Sequence, residues 1–304
     1  MQSPKIKGIS LAILGPLLWG ISGTTAQFLF ADVNISSNWL VSVRMLISGI
    51  LLVFFGLVTD RKQNLAVWHH FHDAVYLIFF SFIGMAASQY TYFKAIEEGN
   101  AATATILQFL SPALIIIYLA LSTKHLPRRV DVLSLLMALT GTILLVTHGS
   151  LTTLTIPMGG FLWGLGTAVS ASLYTMLPRT LLRTYGSIPI VGWSMLIGGV
   201  AFSLFYRIWD HMPPFKWSTY GGVSFVVIFG TMFAYLFFLQ SLTFIQPTTA
   251  SVLGSFEPLS ATFLSITFLG THFGLFETTG AILILGTVFV QSWAAVHSSN
   301  IPIS

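Results

Sequence analysis

Residues 8–30 read GISLAILGPLLWGISGTTAQFLF, 23 residues without a single charged side chain. At ~1.5 Å of rise per helical residue such a run spans the ~30 Å hydrocarbon core of a bilayer. Lys5 and Lys7 precede it, as in a signal peptide, but no A-x-A site follows, so the segment is expected to be retained as a first crossing. Runs of the same kind recur at 39–58, 74–95, 101–121, 132–148, 159–181, 188–209, 220–242, 248–269 and 275–296. Short connections rich in Asp, Lys, Arg, Gly and Pro separate them and leave no room for a soluble domain.

Composition agrees. The 304 residues are 55% hydrophobic and 7% charged, whereas a soluble domain carries about 25% charged residues. The 26 Phe, 8 Trp and 9 Tyr suit a lipid-facing surface with aromatic belts. With no cysteine, disulfides and thiolate metal sites are excluded. A net charge of +4 is not gathered on one soluble face, which speaks against a nucleic-acid partner. Membrane lipid is the expected surroundings, and the chain is expected to work as a monomer, with a homodimer as the alternative.

The charge records topology instead. Lys5, Lys7, Arg61, Lys62, Lys124, Arg128, Arg129, Arg179 and Arg183 fall on one side of the alternating crossings; Lys94, Arg207 and Lys216 fall on the other. Basic residues near helix ends stay in the cytoplasm, so an even number of crossings puts both termini there and the chain in the inner, or plasma, membrane.

The second half echoes the first. LLWGISG at 17–23 matches FLWGLGT at 161–167, MLISG at 45–49 matches MLIGG at 195–199, and QFLSP at 108–112 matches GSFEP at 254–258. The reading is an all-α integral membrane protein of ten transmembrane helices, built as two five-helix repeats over residues 1–149 and 150–304. An odd number of crossings per repeat makes the second copy enter from the opposite side. Inverted repeats of this kind build alternating-access carriers with a site near midplane.

These pieces together resemble the drug/metabolite transporter superfamily in its EamA-type branch, and within it the bacterial carboxylate, amino acid and amine transporters. The resemblance rests on Trp-Gly at 19–20 and 163–164, Arg44 within Ser42-Val43-Arg44-Met45-Leu46, Asn100-Ala101-Ala102-Thr103-Ala104-Thr105, Glu257-Pro258, and Gly-Thr at 141–142 and 286–287. It implies a helical bundle with a central cavity that moves small organic metabolites, usually outward. The Leu-Gly-Glu that such chains often place before helices five and ten reads Ser122-Thr123-Lys124 and Leu269-Gly270-Thr271 here, so no role of that glutamate carries over.

An ionisable side chain in hydrocarbon costs roughly 2.5–3.5 kcal/mol on insertion scales and needs a reason. Glu257 is expected about a third of the way into helix nine, followed by helix-disrupting Pro258, with Ser111 before Pro112 as its counterpart. Arg44 lies in helix two with Ser194 as its counterpart; it could bind a substrate carboxylate, pair with Glu257, or snorkel to the interface. Gln89 and its counterpart Tyr235 are expected to face each other, and Gln108 shares a helical face with Ser111. Trp19, Trp163, Tyr90, Tyr92 and Tyr174 could stack on a ligand or hold an ammonium over their rings. His69, His70 and His72 are not spaced as ligands on one helical face, and no phosphate-cradling motif is present. The expected function is therefore secondary transport of a small-molecule substrate such as an amino acid or amine, outward and without a cofactor. The alternatives are an integral-membrane enzyme and a channel or receptor.

Overall fold

The computed structural model describes residues 4–124, 129–147, 156–213, 216–241, 244–245, 250 and 253–298, and every regular element among them is a helix. In chain order α1 is Pro4–Ala31, α2 Ser37–Thr59, α3 Phe71–Glu98 and α4 Ala101–Gln108 continued by Ser111–Thr123. After these come α5 at Arg129–Thr147, α6 at Met158–Met176 and α7 at Ser187–Tyr206. The order ends with α8 at Trp217–Ser241, α9 at Phe256–Leu269 and α10 at Leu275–Ser298. Short helices at Arg61–Ala66 and Arg179–Tyr185 lie between the long ones.

Side-chain caps set several of the helix starts. Ser36 accepts from the Trp39 N–H, Asp60 from Gln63 and Asn100 from Thr103, each satisfying an amide that the first turn leaves open. Among the described helices six are long and apolar enough to cross a bilayer, and Phe256–Leu269 and Leu275–Val290 are shorter apolar helices. The outer surface carries Phe54, Phe205, Phe263 and Phe268 at 65–80% exposure. Such a surface is stable only against lipid, and helices are what hydrocarbon permits, because each pairs its own backbone groups. The chain is an all-helical, multi-pass integral membrane protein.

Glycines bring the helices together, as they do where apolar burial gives no drive for one helix to prefer another over lipid. A β-carbon on Gly49 would strike the Leu196 backbone, and one on Gly199 would strike that of Leu46. Gly192 sits on Leu52 and Val53, so residue numbers rise along α2 as they fall along α7 and the two run antiparallel. The same holds for α5 and α10, where Gly141 and Gly280 each abut the other's carbonyl and Gly286 meets Met137. The remaining close pairs come in matched sets: α3 with α6 answers α8 with α1, and α4 with α6 answers α9 with α1.

Two irregularities also come in pairs. Both α3 and α8 contain a six-residue π-helical stretch, Ser81–Ala86 and Ile228–Phe233, with Gly84 and Gly230 inside them. Helix α4 breaks at residues 109–110 just before Ser111-Pro112, and α9 begins at Phe256 just before Glu257-Pro258. Proline has no N–H to continue the ladder but is tolerated in a first turn, so each helix restarts where its proline falls. This corrects the expected position of Glu257, which lies in the first turn of α9 and not a third of the way along a continuous helix. Part of the expected run, residues 248–249 and 251–252, falls outside the described residues.

The α2/α7 contact generates a prediction. G49A and G199A force backbone apart and are each expected to cost about 1–3 kcal/mol, read as a lower thermal midpoint of the purified protein in detergent. G221A, where a β-carbon meets nothing within 4 Å, is expected to leave the midpoint in place.

Candidate functional site

The matched helix pairs enclose a cavity of about 630 Å³, within the range of small-molecule sites. Its wall draws on both sequence halves. From the first come Trp19 of α1, Arg44 of α2, Gln89 and Tyr92 of α3, and Gln108 and Ser111 at the break in α4. From the second come Tyr174 of α6, Tyr235 of α8 and Glu257 of α9. Nine of the eleven candidates named from sequence thus meet at one hollow.

The two restarted helices reach this hollow through Gln108, Ser111 and Glu257, the π-helical stretch of α8 reaches it through Gly230, and that of α3 lies between the lining residues Phe80 and Ser88. Glu257 is 7% exposed; its backbone carbonyl accepts from the Ser260 hydroxyl, and its carboxylate makes no hydrogen bond or ion pair to any described residue. This residue lies in the first turn of α9, just past the turn at Ser255 that separates this helix from helical residues 253–254. Arg44 is 4% exposed, and its guanidinium is held inside the bundle by groups from other helices rather than extended along the helix towards water. Its Nε donates to Thr231 Oγ1 at 3.0 Å, its Nη2 reaches Gly230 O at 3.5 Å, and its guanidinium lies 4.4 Å from the centre of the Phe93 ring. Arg44 and Glu257 feel each other's charge, yet no nitrogen of one comes within 4.0 Å of an oxygen of the other.

Neutral groups complete the wall. Gln89 Nε2 donates to the Tyr235 hydroxyl at 3.0 Å, the cross-repeat contact expected from their matching positions. Tyr92 and Thr105 share a hydrogen bond of 2.9 Å. The Trp19 ring stands edge-on to Tyr235 at 5.0 Å and tilts against Phe238 at 5.3 Å, and Phe80 stacks on Tyr174 at 6.0 Å. Phe80, Phe93, Phe109 and Phe238 line the cavity without having been singled out. On a membrane helix a Phe facing a cavity has the same local pattern as one facing lipid, so no sequence signal separates them. Ser22 also lines the cavity, and Gly230 packs directly on it.

Tyr90 and Trp163 do not line the cavity. They meet edge-on at 5.5 Å in a separate cluster with Phe202 and Tyr206. Trp163 Nε1 donates to Glu98 at 3.2 Å. At this same end of the bundle Glu97 accepts from both the backbone N–H and the hydroxyl of Ser37, each at 2.8 Å, and Lys94 bridges Glu97 and Glu98. The end of α3 is thereby tied to the starts of α2 and α6. The cavity extends the other way, past Thr175 and Pro178 to Leu182 and Leu239, near Arg179 and Arg183.

A bundle of apolar helices around a cavity that holds a buried acid and a buried base belongs to the class of membrane transporters, and comparison with known proteins agrees. The chain belongs to the EamA-like transporter family, whose model matches residues 6–147 and again residues 158–293. It is similar to the uncharacterized inner membrane transporter YicL of Salmonella typhimurium, 36% identical over 294 residues that cover 94% of this chain and 95% of that one. It is also similar to the uncharacterized transporter YwfM of Bacillus subtilis, 24% identical over 286 residues and 92% of each chain. A solved crystal structure shares the fold, with a TM-score of 0.62 at 19% identity over 98% of this chain and 99% of its own.

The cysteine-free chain makes the cavity directly testable. S111C and T175C, on the cavity wall, are expected to react with a small hydrophilic thiol reagent in membranes. S203C, buried in α7 away from the cavity, is expected to stay unlabelled until the protein is denatured.

Proposed function

We propose that this protein is a secondary carrier that moves small organic metabolites, amino acids or amines among them, by alternating access. On this reading it crosses the membrane ten times, and residues 1–149 and 150–304 are two inverted repeats. Support comes from the antiparallel packing of α2 on α7 and of α5 on α10, helices at matching places in the two halves. A chain segment and its counterpart run antiparallel when a twofold axis in the membrane plane relates them. The two family matches fall on the same two halves.

The observation that carries the reading is the Glu257 carboxylate, on the wall of the cavity and without a hydrogen-bonding or ion-pairing partner among the described residues. A bare carboxylate in a membrane bundle is stabilised by water or by a cation, and a ligand ammonium supplies the cation. Gln89 and Gln108 offer orienting amides, and Trp19, Tyr174 and Tyr235 offer π faces on which a cation or an apolar body rests. Each half brings one charged group whose counterpart is a serine, Ser194 for Arg44 and Ser111 for Glu257. The substrate would therefore lie in one orientation between similar halves.

Access is one-sided. The cavity reaches the end of the bundle that carries Lys5, Lys7, Arg61, Arg179 and Arg183, while the Lys94, Glu97 and Glu98 cluster ties the opposite end together. A carrier needs one closed face at a time, whereas a channel needs a lining that continues to both. The positive-inside rule makes the open end cytoplasmic and puts both termini in the cytoplasm of a cell whose inner membrane the chain spans. A site loaded from that side fits export.

Two outcomes test this reading. Reconstituted protein is expected to show saturable counterflow of a labelled amine or amino acid, and E257Q is expected to lower it at least tenfold; a variant that transports at the parent rate would remove Glu257 from the site. E97Q and K94M loosen the closed end and are expected to raise thiol labelling of S111C from the face where Lys216 lies. Unchanged labelling from that face would show that the cluster is not what keeps it shut.

A further inference from the structure

Arg44 is the other charge on the cavity wall, and its surroundings differ from those of Glu257. Three groups fix the guanidinium: Thr231 Oγ1, the Gly230 carbonyl and the face of Phe93. Thr231 has only one hydroxyl proton, and that proton goes to Val226 O at 2.8 Å, five residues back. The π-helical stretch Ile228–Phe233 makes this possible, because its wide turn shifts the backbone ladder and brings a carbonyl to the threonine hydroxyl. With its proton committed, the hydroxyl presents only lone pairs to Arg44. A guanidinium has five N–H donors and no acceptor. Two donors are engaged here, and the rest have no hydrogen-bond partner among the described residues, on a residue that lines the cavity.

Opposite charges in a low-dielectric setting gain most by direct contact. Arg44 and Glu257 are close enough to interact electrostatically but do not pair. Thr231, Gly230 and Phe93 hold the cation on one side, and the first turn of α9 holds the anion on the other. A cavity wall with a fixed donor fork and a separate fixed carboxylate is complementary to one molecule that carries both charges. An amine alone would leave Arg44 unmatched, and an acid alone would leave Glu257 unmatched; each costs the desolvation of a buried charge without its partner.

We infer that the free edge of Arg44 is the seat for a substrate carboxylate, that Thr231 is the positioning residue that aims it, and that the transported class is zwitterionic. This rests on the carrier reading and narrows it, since it excludes simple amines as the preferred cargo. The polar edge of a planar fork binds a carboxylate through two parallel hydrogen bonds, which lysine cannot reproduce.

The test uses the purified full-length protein and matched sets of three probes: leucine, 3-methylbutylamine and 4-methylpentanoate, and phenylalanine, phenethylamine and 3-phenylpropionate. Binding is read by thermal shift and by calorimetry. At least one amino acid is expected to bind about tenfold or more tightly than both of its truncated relatives, the loss that a missing charge-assisted hydrogen bond brings. R44Q is expected to remove that preference while leaving the weak binding of the amine in place. T231V, which keeps the shape but deletes the acceptor, is expected to lower amino-acid affinity severalfold without changing amine affinity, and T231S to restore it. This second pair keeps the test decisive if R44Q does not fold. Equal binding of amine and amino acid to the parent protein, absence of binding by either amino acid, or a T231V loss shared equally by the amine would overturn the carboxylate seat. Labelled counterflow in liposomes separates the two readings: an amine carried without amino-acid preference removes the seat and keeps the carrier, whereas amino-acid binding without counterflow keeps the seat and removes the carrier.

Discussion

A guanidinium and a carboxylate buried in the same membrane bundle would ordinarily collapse onto each other, because in a poorly polarisable interior their attraction far exceeds what it is worth in water. In this protein they stand apart. Arg44 is anchored through Nε to a threonine whose own proton is spent on the backbone, and Glu257 is anchored by its place in the first turn of α9. Hydrocarbon penalises each charge, so the hollow between them must be wet or filled. The rest of the architecture serves this separation: glycine contacts that lock helices backbone to backbone, prolines that restart helices at the cavity, and a π-helical turn in α8 whose Thr231 bonds the Val226 carbonyl beside it.

The packing is close to symmetric and the chemistry is not. Backbone-determining residues are matched between the halves, with Gly49 answering Gly199 across α2 and α7 and Gly84 answering Gly230 in the two π-helical stretches. The charged positions break the match, since Arg44 and Glu257 correspond to serines. Symmetric packing lets two arrangements of the halves have similar energies, as the proposed alternating-access cycle would require. A symmetric site would have no direction for the ligand, and two buried acids or two buried arginines would repel each other. Keeping the scaffold alike and dividing the charges answers both demands.

The two ends of the bundle differ in the same economical way. At one end the terminal turn of α3 places Lys94, Glu97 and Glu98 where they reach Ser37 and Trp163 on neighbouring helices. Partly exposed ion pairs are individually worth little, about 0–1 kcal/mol, which suits the opening that the proposed transport cycle would need at this end. The aromatic cluster of Tyr90, Trp163, Phe202 and Tyr206 adds contact area beneath it.

Sequence alone was enough for the class and for most of the polar and aromatic residues that line the cavity. Water could not solvate a chain with so few charges, and any ionisable group in an apolar run needs a polar setting, so Glu257 and Arg44 announced themselves by cost. The internal echo then paired Gln89 with Tyr235 across the two halves and marked Ser111 as the counterpart of Glu257. Tertiary structure decided what neighbours do. It showed Arg44 pinned and not snorkelling, because Thr231 and Phe93 arrive from other helices. It moved Tyr90 and Trp163 into the closed end, because which face of an aromatic-rich helix meets a cavity depends on how the helix is rotated against its partners. In hydrocarbon the lipid-facing and ligand-facing sides are equally apolar, so hydrophobic pattern carries no information about that rotation; only the glycine contacts and hydrogen bonds between helices do.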